Sequence, residues 1–173
     1  MLFSKVFKFV YNILLNVETI LAHASGSSID LTNQAEAFTI TGGAAVDTLK
    51  GGSGADIITG NRGNDIITGS GGNYVIKVGT GNDSIDGGAD NDALTGGSGD
   101  DTFTVGAGSD TISDLTTGDD LVVTGGTVAA NNVSTFVADN DTKNTGGTVT
   151  INAATGGSTI TVSYTHLTLP TKA

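Results

Sequence analysis

The chain has 173 residues, a formal net charge of −11 at pH 7, 27 glycines and no cysteine. The lack of cysteine excludes disulfides and thiolate metal sites, and the negative charge argues against a nucleic-acid partner, whose phosphates it would repel. The length fits one domain with short appendages. No stretch is long and apolar enough to predict a membrane span.

Residues 1–24 differ in character from the rest of the chain. Their apolar residues follow helical spacing, at Phe3, Val6, Phe7, Val10, Ile13, Leu14, Val17, Ile20 and Leu21. Three hypotheses are open. An amphipathic helix that caps the following domain is the one we favour. The second is a leader that ends at Ala22-His23-Ala24, and the third is a strand at residues 16–20.

Residues 25–41 leave the helical spacing. Ile29-Asp30-Leu31 and Phe38-Thr39-Ile40 alternate as short strands do, with apolar residues on one face. We therefore expect residues 25–41 to form strands that lead into the segment that follows.

Residues 42–113 repeat a nine-residue pattern in eight consecutive blocks, without insertion or deletion. The blocks read GGAAVDTLK, GGSGADIIT, GNRGNDIIT, GSGGNYVIK, VGTGNDSID, GGADNDALT, GGSGDDTFT and VGAGSDTIS. The first half of each block is glycine-rich and ends at a mostly acidic sixth position. The eighth position is always apolar, at Leu49, Ile58, Ile67, Ile76, Ile85, Leu94, Phe103 and Ile112. A fixed period of this length predicts a repeat architecture.

The pattern predicts a parallel β-solenoid. Positions seven to nine alternate as in a strand, which places the eighth residue on the opposite face from its neighbours. A strand this short buries its apolar residue only by stacking on copies of itself. Two blocks then make one coil, so odd-numbered blocks stack on one side and even-numbered blocks on the other.

This stacking aligns the acidic residues in two columns. The odd column contains Asp47, Asp65, Asp83 and Asp101, and the even column contains Asp56, Asp92 and Asp110. Carboxylates about 4.8 Å apart repel by roughly 1 kcal/mol in water and more at lower dielectric. A dication between them reverses the sign of this interaction. Carboxylate and carbonyl oxygens in a flexible arrangement suit calcium better than magnesium.

The blocks resemble the RTX, or hemolysin-type, calcium-binding repeat, whose pattern is G-G-x-G-x-D-x-U-x with U a large apolar residue. GGSGADIIT and GGSGDDTFT match every specified position. The resemblance implies a β-roll over residues 42–122 with calcium in its turns, in a secreted or cell-surface bacterial protein exported by type I secretion. The residues assigned to the calcium sites are Asp47, Gly52, Gly54, Asp56, Gly63, Asp65, Gly81, Asp83, Asp92, Gly97, Gly99, Asp101, Gly108 and Asp110.

Three departures from the pattern bear on the calcium sites. Tyr74 replaces the sixth-position aspartate of block four, so Asp56 has no carboxylate neighbour in its column and is expected to face water or to be half-satisfied. Asp90 replaces a glycine in block six, which is a mild change because aspartate tolerates the left-handed region. Ala45 at the same position of block one is harder to accommodate. We expect about four well-formed calcium sites, namely 47/65, 65/83, 83/101 and 92/110.

After the repeats, Asp114, Asp119 and Asp120 could supply a further ligand. Residues 123–161 are rich in threonine, glycine and asparagine and are expected to form a β-rich spacer or cap. Strands are predicted at residues 121–124, 134–138, 148–152 and 159–162. Residues 162–173 resemble an in-frame translation of a sequencing-library adapter, so we expect them not to belong to the domain.

These features favour a calcium-binding structural module that folds outside the cell, where calcium is plentiful. The alternative is the repeat region of a larger secreted enzyme, toxin or adhesin whose active part lies elsewhere. We expect the chain itself not to be an enzyme, because its two histidines, His23 and His166, form no catalytic motif. Threonine ladders that would suit ice binding are interrupted by charge, and a protein or glycan partner at the cell surface stays open.

Overall fold

The computed structural model describes residues 5–8, 18–133, 135–138, 143–144, 148–153 and 159–162. Every regular element in these ranges is a strand, and none is a helix that could cross a membrane. The strands are β1 Lys5–Lys8, β2 Thr19–Leu21, β3 Ser27–Asp30, β4 Thr39–Thr41, β5 Thr48–Lys50, β6 Ile57–Arg62, β7 Ile66–Thr68, β8 Val75–Thr80, β9 Ser84–Asp86, β10 Ala93–Ser98, β11 Thr102–Val105, β12 Ser109–Ile112, β13 Asp120–Val123, β14 Thr127–Val133, β15 Thr135–Ala138, β16 Lys143–Asn144, β17 Thr148–Ala153 and β18 Thr159–Val162.

The strands form two parallel sheets through which the chain passes alternately. One sheet has the order β1-β3-β5-β7-β9-β11-β13-β16, and the other has the order β2-β4-β6-β8-β10-β12-β14-β17. Strands β15 and β18 pair in parallel as a third, two-stranded sheet. Chain neighbours thus lie in opposite sheets, and each strand pairs with strands one coil away. This arrangement confirms the predicted parallel β-solenoid.

The nine-residue block is half a coil, as the period predicts. Leu49 pairs with Ile67 and Ile67 with Ile85, whereas Ile58 pairs with Ile76 in the opposite sheet. Equivalent residues of successive coils are therefore 18 positions apart. All the eighth-position side chains are buried and form the centre of one hydrophobic core between the sheets.

The core extends past both ends of the repeated blocks. Ile29 pairs with Leu49 and Ile40 pairs with Ile58, so the strands of residues 25–41 continue the same two columns. At the other end, Leu121 pairs with Phe103. The apolar columns therefore do not depend on a full match to the block pattern, because each coil needs only one inward apolar residue per strand.

The helix that we favoured for residues 1–24 is wrong for the described part of that segment. Lys5–Lys8 is a strand that pairs with β3, and Thr19–Leu21 is a strand that pairs with β4. Backbone pairing with the first coils determines the conformation here, and the helical spacing of the apolar residues does not. Residues 1–4 and 9–17 lie outside the described residues.

The C-terminal strands agree in part with the sequence prediction. Strands β13, β15, β17 and β18 lie within one residue of their predicted positions. Strand β14, residues Thr127–Val133, was not predicted although it pairs with β12 and β17. Residues 163–173, assigned to the adapter-like tail, lie outside the described residues.

The alternation of buried and exposed residues predicts unequal effects at neighbouring positions of β6. Ile58 is fully buried, whereas Ile57 is 48% exposed. We expect Ile58→Ala to lower the free energy of unfolding by about 2–5 kcal/mol, because it leaves a cavity in the core. The matched control Ile57→Ala should cost at most about 1 kcal/mol. Urea unfolding in saturating calcium measures both, and equal losses would contradict the assigned strand faces.

Candidate functional site

The sixth-position aspartates occupy the two edges of the solenoid, where each turn enters a strand. Asp47, Asp65, Asp83 and Asp101 lie along one edge, and Asp56, Asp92 and Asp110 lie along the other. All seven side chains are buried, at 0–3% exposure. A carboxylate is costly to bury unless its oxygens find hydrogen-bond donors or cations. The partners of each oxygen therefore define what the edges can bind.

One oxygen of each aspartate is held by the backbone of the preceding coil. The amide of Asp47 donates to Oδ1 of Asp65 at 2.8 Å, and the amide of Asp65 donates to Oδ1 of Asp83 at 2.7 Å. The amide of Asp83 continues the series to Oδ1 of Asp101 at 2.9 Å. We call this series, together with its even-edge counterpart, the aspartate ladder. The aspartates thus stack as the predicted columns require.

The second oxygen distinguishes two kinds of turn. Oδ2 of Asp47 accepts from the amide of Gly43 at 2.6 Å, and Oδ2 of Asp56 accepts from the amide of Gly52 at 3.0 Å. Four other aspartates have a buried Oδ2 with no hydrogen-bond partner: Asp65, Asp83, Asp92 and Asp110. We call the first kind closed turns and the second kind open turns.

The prediction for Asp56 was wrong in one respect. This side chain does not face water and is not half-satisfied, because it is 1% exposed and both of its oxygens accept amide hydrogen bonds. The amide of Phe38 donates to Oδ1 at 2.8 Å, and Gly52 donates to Oδ2. The amide of Gly52, in the turn of block two, supplies the donor for Oδ2. A cation shared with a neighbouring carboxylate would otherwise have to satisfy that oxygen.

Burial weakens the acidity of the aspartates. It raises the pKa of Asp92 to about 7, against the lowering effect of the Tyr74 amide, and the nearby carboxylate of Asp110 adds to the rise. Burial likewise raises the pKa of Asp65 and of Asp101 to about 6. The edges therefore hold negative charge at neutral pH at a free-energy cost, and a bound cation would offset that cost.

Glycine at the first position of a block makes room for the carboxylate. A Cβ atom on Gly60 would lie 2.5 Å from Oδ2 of Asp65, and one on Gly87 would lie 2.6 Å from Oδ2 of Asp92. At the fourth position, Gly81 has a φ of +136°, and a Cβ there would overlap the carbonyl oxygen of Gly63 in the preceding coil. The turns therefore bring peptide carbonyls and aspartate oxygens into one small space.

The glycines assigned to the site all lie in these turns. The left-handed region is occupied by Gly63, Gly81, Gly97, Gly99 and Gly108, but not by Gly52 or Gly54. Asp90 takes a φ of +73°, as expected for an aspartate in a glycine position. Ala45 avoids the left-handed region, so block one has a different turn conformation.

Two further groups of residues support the edges, and the first lies among the acidic residues after the repeats that could supply a further ligand. Asp119 is buried, and its Oδ1 accepts from the amide of Asp101 at 3.0 Å, which extends the odd-edge ladder by one coil. Residues 114–122 in fact form a ninth block in register, with Asp119 at position six and Leu121 at position eight. Asp114 accepts from the amides of Gly96 and Gly97 and so caps the turn of block seven.

The second group, a ladder of fifth-position asparagines on the outside of the turns, was missed in the sequence. The amide of Asn82 donates to Oδ1 of Asn64 at 3.0 Å, and on the other edge the amide of Asn91 donates to Oδ1 of Asn73 at 2.9 Å. These bonds run from the later coil to the earlier one, opposite to the aspartate ladder. The recurrence of asparagine at position five was the available signal.

The open turns can accept a hard cation. Within the described residues no three acidic or histidine side chains converge on one point. A cation at an edge would therefore combine one or two carboxylates with peptide carbonyls and water. Such a set of oxygen ligands fits calcium, which takes six to eight of them at flexible geometry.

The fold and the edges define a parallel β-solenoid whose turns are lined with carboxylate and carbonyl oxygens. Residues 41–76 and 78–112 match the family model of the RTX calcium-binding nonapeptide repeat (4 copies). This part of the chain consists of RTX calcium-binding repeats and is a calcium-binding repeat module. No curated protein and no solved structure matches the chain.

The raised pKa values predict an unusual pH dependence in the absence of metal. An aspartate titrates near 3.9 when unfolded, whereas folding raises the pKa of Asp92 to about 7. The folded state thus binds more protons over this interval, so its stability is greatest at low pH and falls as the pH rises through 6–7. Thermal unfolding in chelator should show a midpoint that falls as the pH rises from about 4 to about 7, until the metal-free protein no longer folds.

Calcium affinity should rise with pH, opposite to the metal-free stability, because protons compete with calcium for the same carboxylate oxygens. Asp92→Asn should flatten the pH dependence of the metal-free midpoint near pH 7, since it removes a group whose pKa burial raises to about 7. Asp100→Asn is the matched control, because Asp100 is exposed. A midpoint in chelator that rises with pH would contradict the assignment of the buried aspartates as protonated groups.

Proposed function

We propose that this chain is the calcium-dependent structural module of a secreted or cell-surface bacterial protein, and that it folds when it meets calcium outside the cell. The observation that carries the proposal is the set of four buried, unpartnered Oδ2 atoms in the open turns. Folding without metal leaves these oxygens without donors, at a cost of about 1–3 kcal/mol each or more where they are charged. Calcium replaces the missing partners.

The coupling of folding to calcium follows from this cost. A glycine-rich chain loses much conformational entropy on folding, and its core contributes about one apolar residue per strand. The balance is therefore close, and a ligand that binds only the folded state shifts it by RT ln(1 + [Ca²⁺]/Kd). Calcium binds extracellular modules at roughly 10⁻⁴–10⁻³ M. The chain would accordingly stay unfolded where calcium is scarce and fold after export.

Four pairs of neighbouring aspartates are proposed as sites, namely 47/65, 65/83, 83/101 and 92/110. The free Oδ2 atoms support 65/83 and 92/110 most directly, because both aspartates of each of these pairs lie in open turns, whereas 83/101 contains one open-turn aspartate, Asp83. In the pair 47/65, both oxygens of Asp47 already accept hydrogen bonds, from the amides of Ser27 and Gly43. That pair therefore offers one free carboxylate oxygen fewer than 65/83.

We further propose that the chain does not catalyse a reaction itself. One oxygen of each sixth-position aspartate is held by a backbone amide of the preceding coil, and His23 lies in an exposed turn with its Nδ1 2.8 Å from Oγ of Ser25. This module is compatible with a larger parent protein that carries a catalytic, toxic or adhesive part. It is also compatible with a protein or glycan partner at the cell surface. Recovery of the complete reading frame would distinguish these possibilities.

Circular dichroism tests the coupling of folding to calcium. At pH 7.5 the protein in chelator should give a disordered spectrum and become β-rich on addition of millimolar calcium. Magnesium at the same concentration should have a much smaller effect, because it prefers a stricter octahedral geometry. Full β-structure in excess chelator at this pH would contradict the proposal.

Isothermal titration tests the ligand assignment. Asp83→Asn should remove about two bound ions, because Asp83 adjoins Asp65 on one side and Asp101 on the other. Asp100→Asn is the matched control, since this exposed carboxylate lies outside the column, one residue before Asp101 in the same turn. Its stoichiometry should equal that of the unmodified protein. Equal losses from the two variants would show that the bound ions are only diffusely attracted by charge.

A further inference from the structure

Tyr74 occupies the place of an aspartate in the even-edge column without interrupting the backbone contacts there. Its amide donates to Oδ1 of Asp92 at 2.9 Å, as an aspartate amide does elsewhere in the ladder. The side chain is 1% exposed, although tyrosine is far larger than the residue that it replaces. The phenol must therefore occupy space inside the even edge.

The phenol lies in the turn that precedes it by one coil. Its hydroxyl donates to the carbonyl oxygen of Gly52. A Cβ atom on Gly51 would lie 2.6 Å from the ring atom Cε1, and one on Gly69 would lie 3.1 Å from Cε2. Gly51 and Gly69 are the first residues of two successive even-edge blocks. The ring therefore fills the space that these first-position glycines leave next to the carboxylate in other turns.

The turn of block two is saturated as a result. The amide of Gly52 donates to Oδ2 of Asp56, and the carbonyl of the same residue accepts from the hydroxyl of Tyr74. The other oxygen of Asp56 accepts from the amide of Phe38. Neither oxygen of the carboxylate is left free, and a turn carbonyl that could have faced a cation is already bonded.

We propose that Tyr74 closes the even edge between Asp56 and Asp92 to calcium, with its hydroxyl as a built-in donor in place of the ion. The inference rests on the proposed calcium-dependent function and specifies which turns take part in it. Calcium then binds along the odd edge and, on the even edge, at Asp92 and Asp110. The first even-edge turns are held by hydrogen bonds alone.

The protonation state of the phenol is consistent with this role. Burial raises the pKa of Tyr74 to about 12, and the charge of Asp56 adds to the rise. The hydroxyl therefore keeps its proton, and with it the hydrogen bond to Gly52, throughout the pH range in which calcium would bind.

Stoichiometry of calcium binding by isothermal titration gives the first test. Tyr74→Asp should bind up to two more ions than the unmodified protein, because it removes the ring and restores a carboxylate between two others. Tyr74→Phe should leave the number of ions unchanged, because the ring still fills the turn. Asn73→Asp is the matched control, since it adds the same charge at an exposed neighbour and should add no ion. A folded Tyr74→Asp protein with unchanged stoichiometry would overturn the inference.

A second variant leaves the ring in place. Asp56→Asn in the otherwise unmodified protein should lose no calcium, whereas Asp83→Asn loses about two ions under the proposed function. If Asp56→Asn also loses an ion, the even edge is open at block two and the inference is wrong. This comparison does not depend on whether Tyr74→Asp folds.

A third measurement reports on Tyr74 without counting ions. The chain has three tyrosines and no tryptophan, so Tyr11→Phe combined with Tyr164→Phe leaves Tyr74 as the single fluorophore. In the folded protein, acrylamide should quench its emission several-fold less than that of free tyrosine. Quenching as efficient as that of free tyrosine would show that the phenol does not fill the turn.

The outcomes separate the inference from the proposed function. If the unmodified protein binds no calcium, the proposed function fails, and the quenching measurement still decides whether Tyr74 fills the turn. If the unmodified protein binds calcium but Tyr74→Asp gains none, the function stands and the inference fails.

Discussion

The structure depends on the burial of one carboxylate per turn. Each buried carboxylate needs donors for two oxygens, and the solenoid supplies one of them by construction, because the amide one coil earlier always faces Oδ1. The second oxygen is where the turns differ. A closed turn provides its own amide, as for Asp47. An open turn leaves Oδ2 free, as for Asp65, and at neutral pH a bound cation can complete it without loss of burial.

Closed turns lie at both ends of the repeats, and the open turns lie between them. Blocks one and two carry the closed turns of Asp47 and Asp56, and the free oxygens begin at Asp65 in block three. The first blocks therefore resemble the metal-free coils that precede them, in which β3 and β4 pair with the repeats through ordinary backbone hydrogen bonds. At the C-terminal end, Oδ2 of Asp119 accepts from the amide of Thr116 at 2.7 Å, so the turns that depend on metal lie in the middle of the repeats.

Much of this could be predicted from the period. The solenoid, the two columns and the buried eighth position follow because a strand of three residues has one way to bury its apolar side chain. The turn type of block two could not be predicted, since GGSGADIIT and GGSGDDTFT match the same pattern, yet Gly52 lacks the positive φ that Gly97 adopts. The helical spacing of residues 1–24 was misleading, because edge pairing with β3 and β4 outweighs a local preference. Strand β14 was missed because its sequence TVAANNV does not alternate.

Because one block is half a coil, successive blocks place their turns alternately at the two edges. An insertion or deletion of one block keeps every eighth-position side chain in the core, since both sheets accept the same apolar residues. Such a change nevertheless exchanges the edges for all later blocks. A block inserted between Asp65 and Tyr74 would move Tyr74 out of the column of Asp56 and into that of Asp47 and Asp65. The core of this protein therefore tolerates the gain or loss of single blocks, whereas the pattern of its edges survives only changes in pairs.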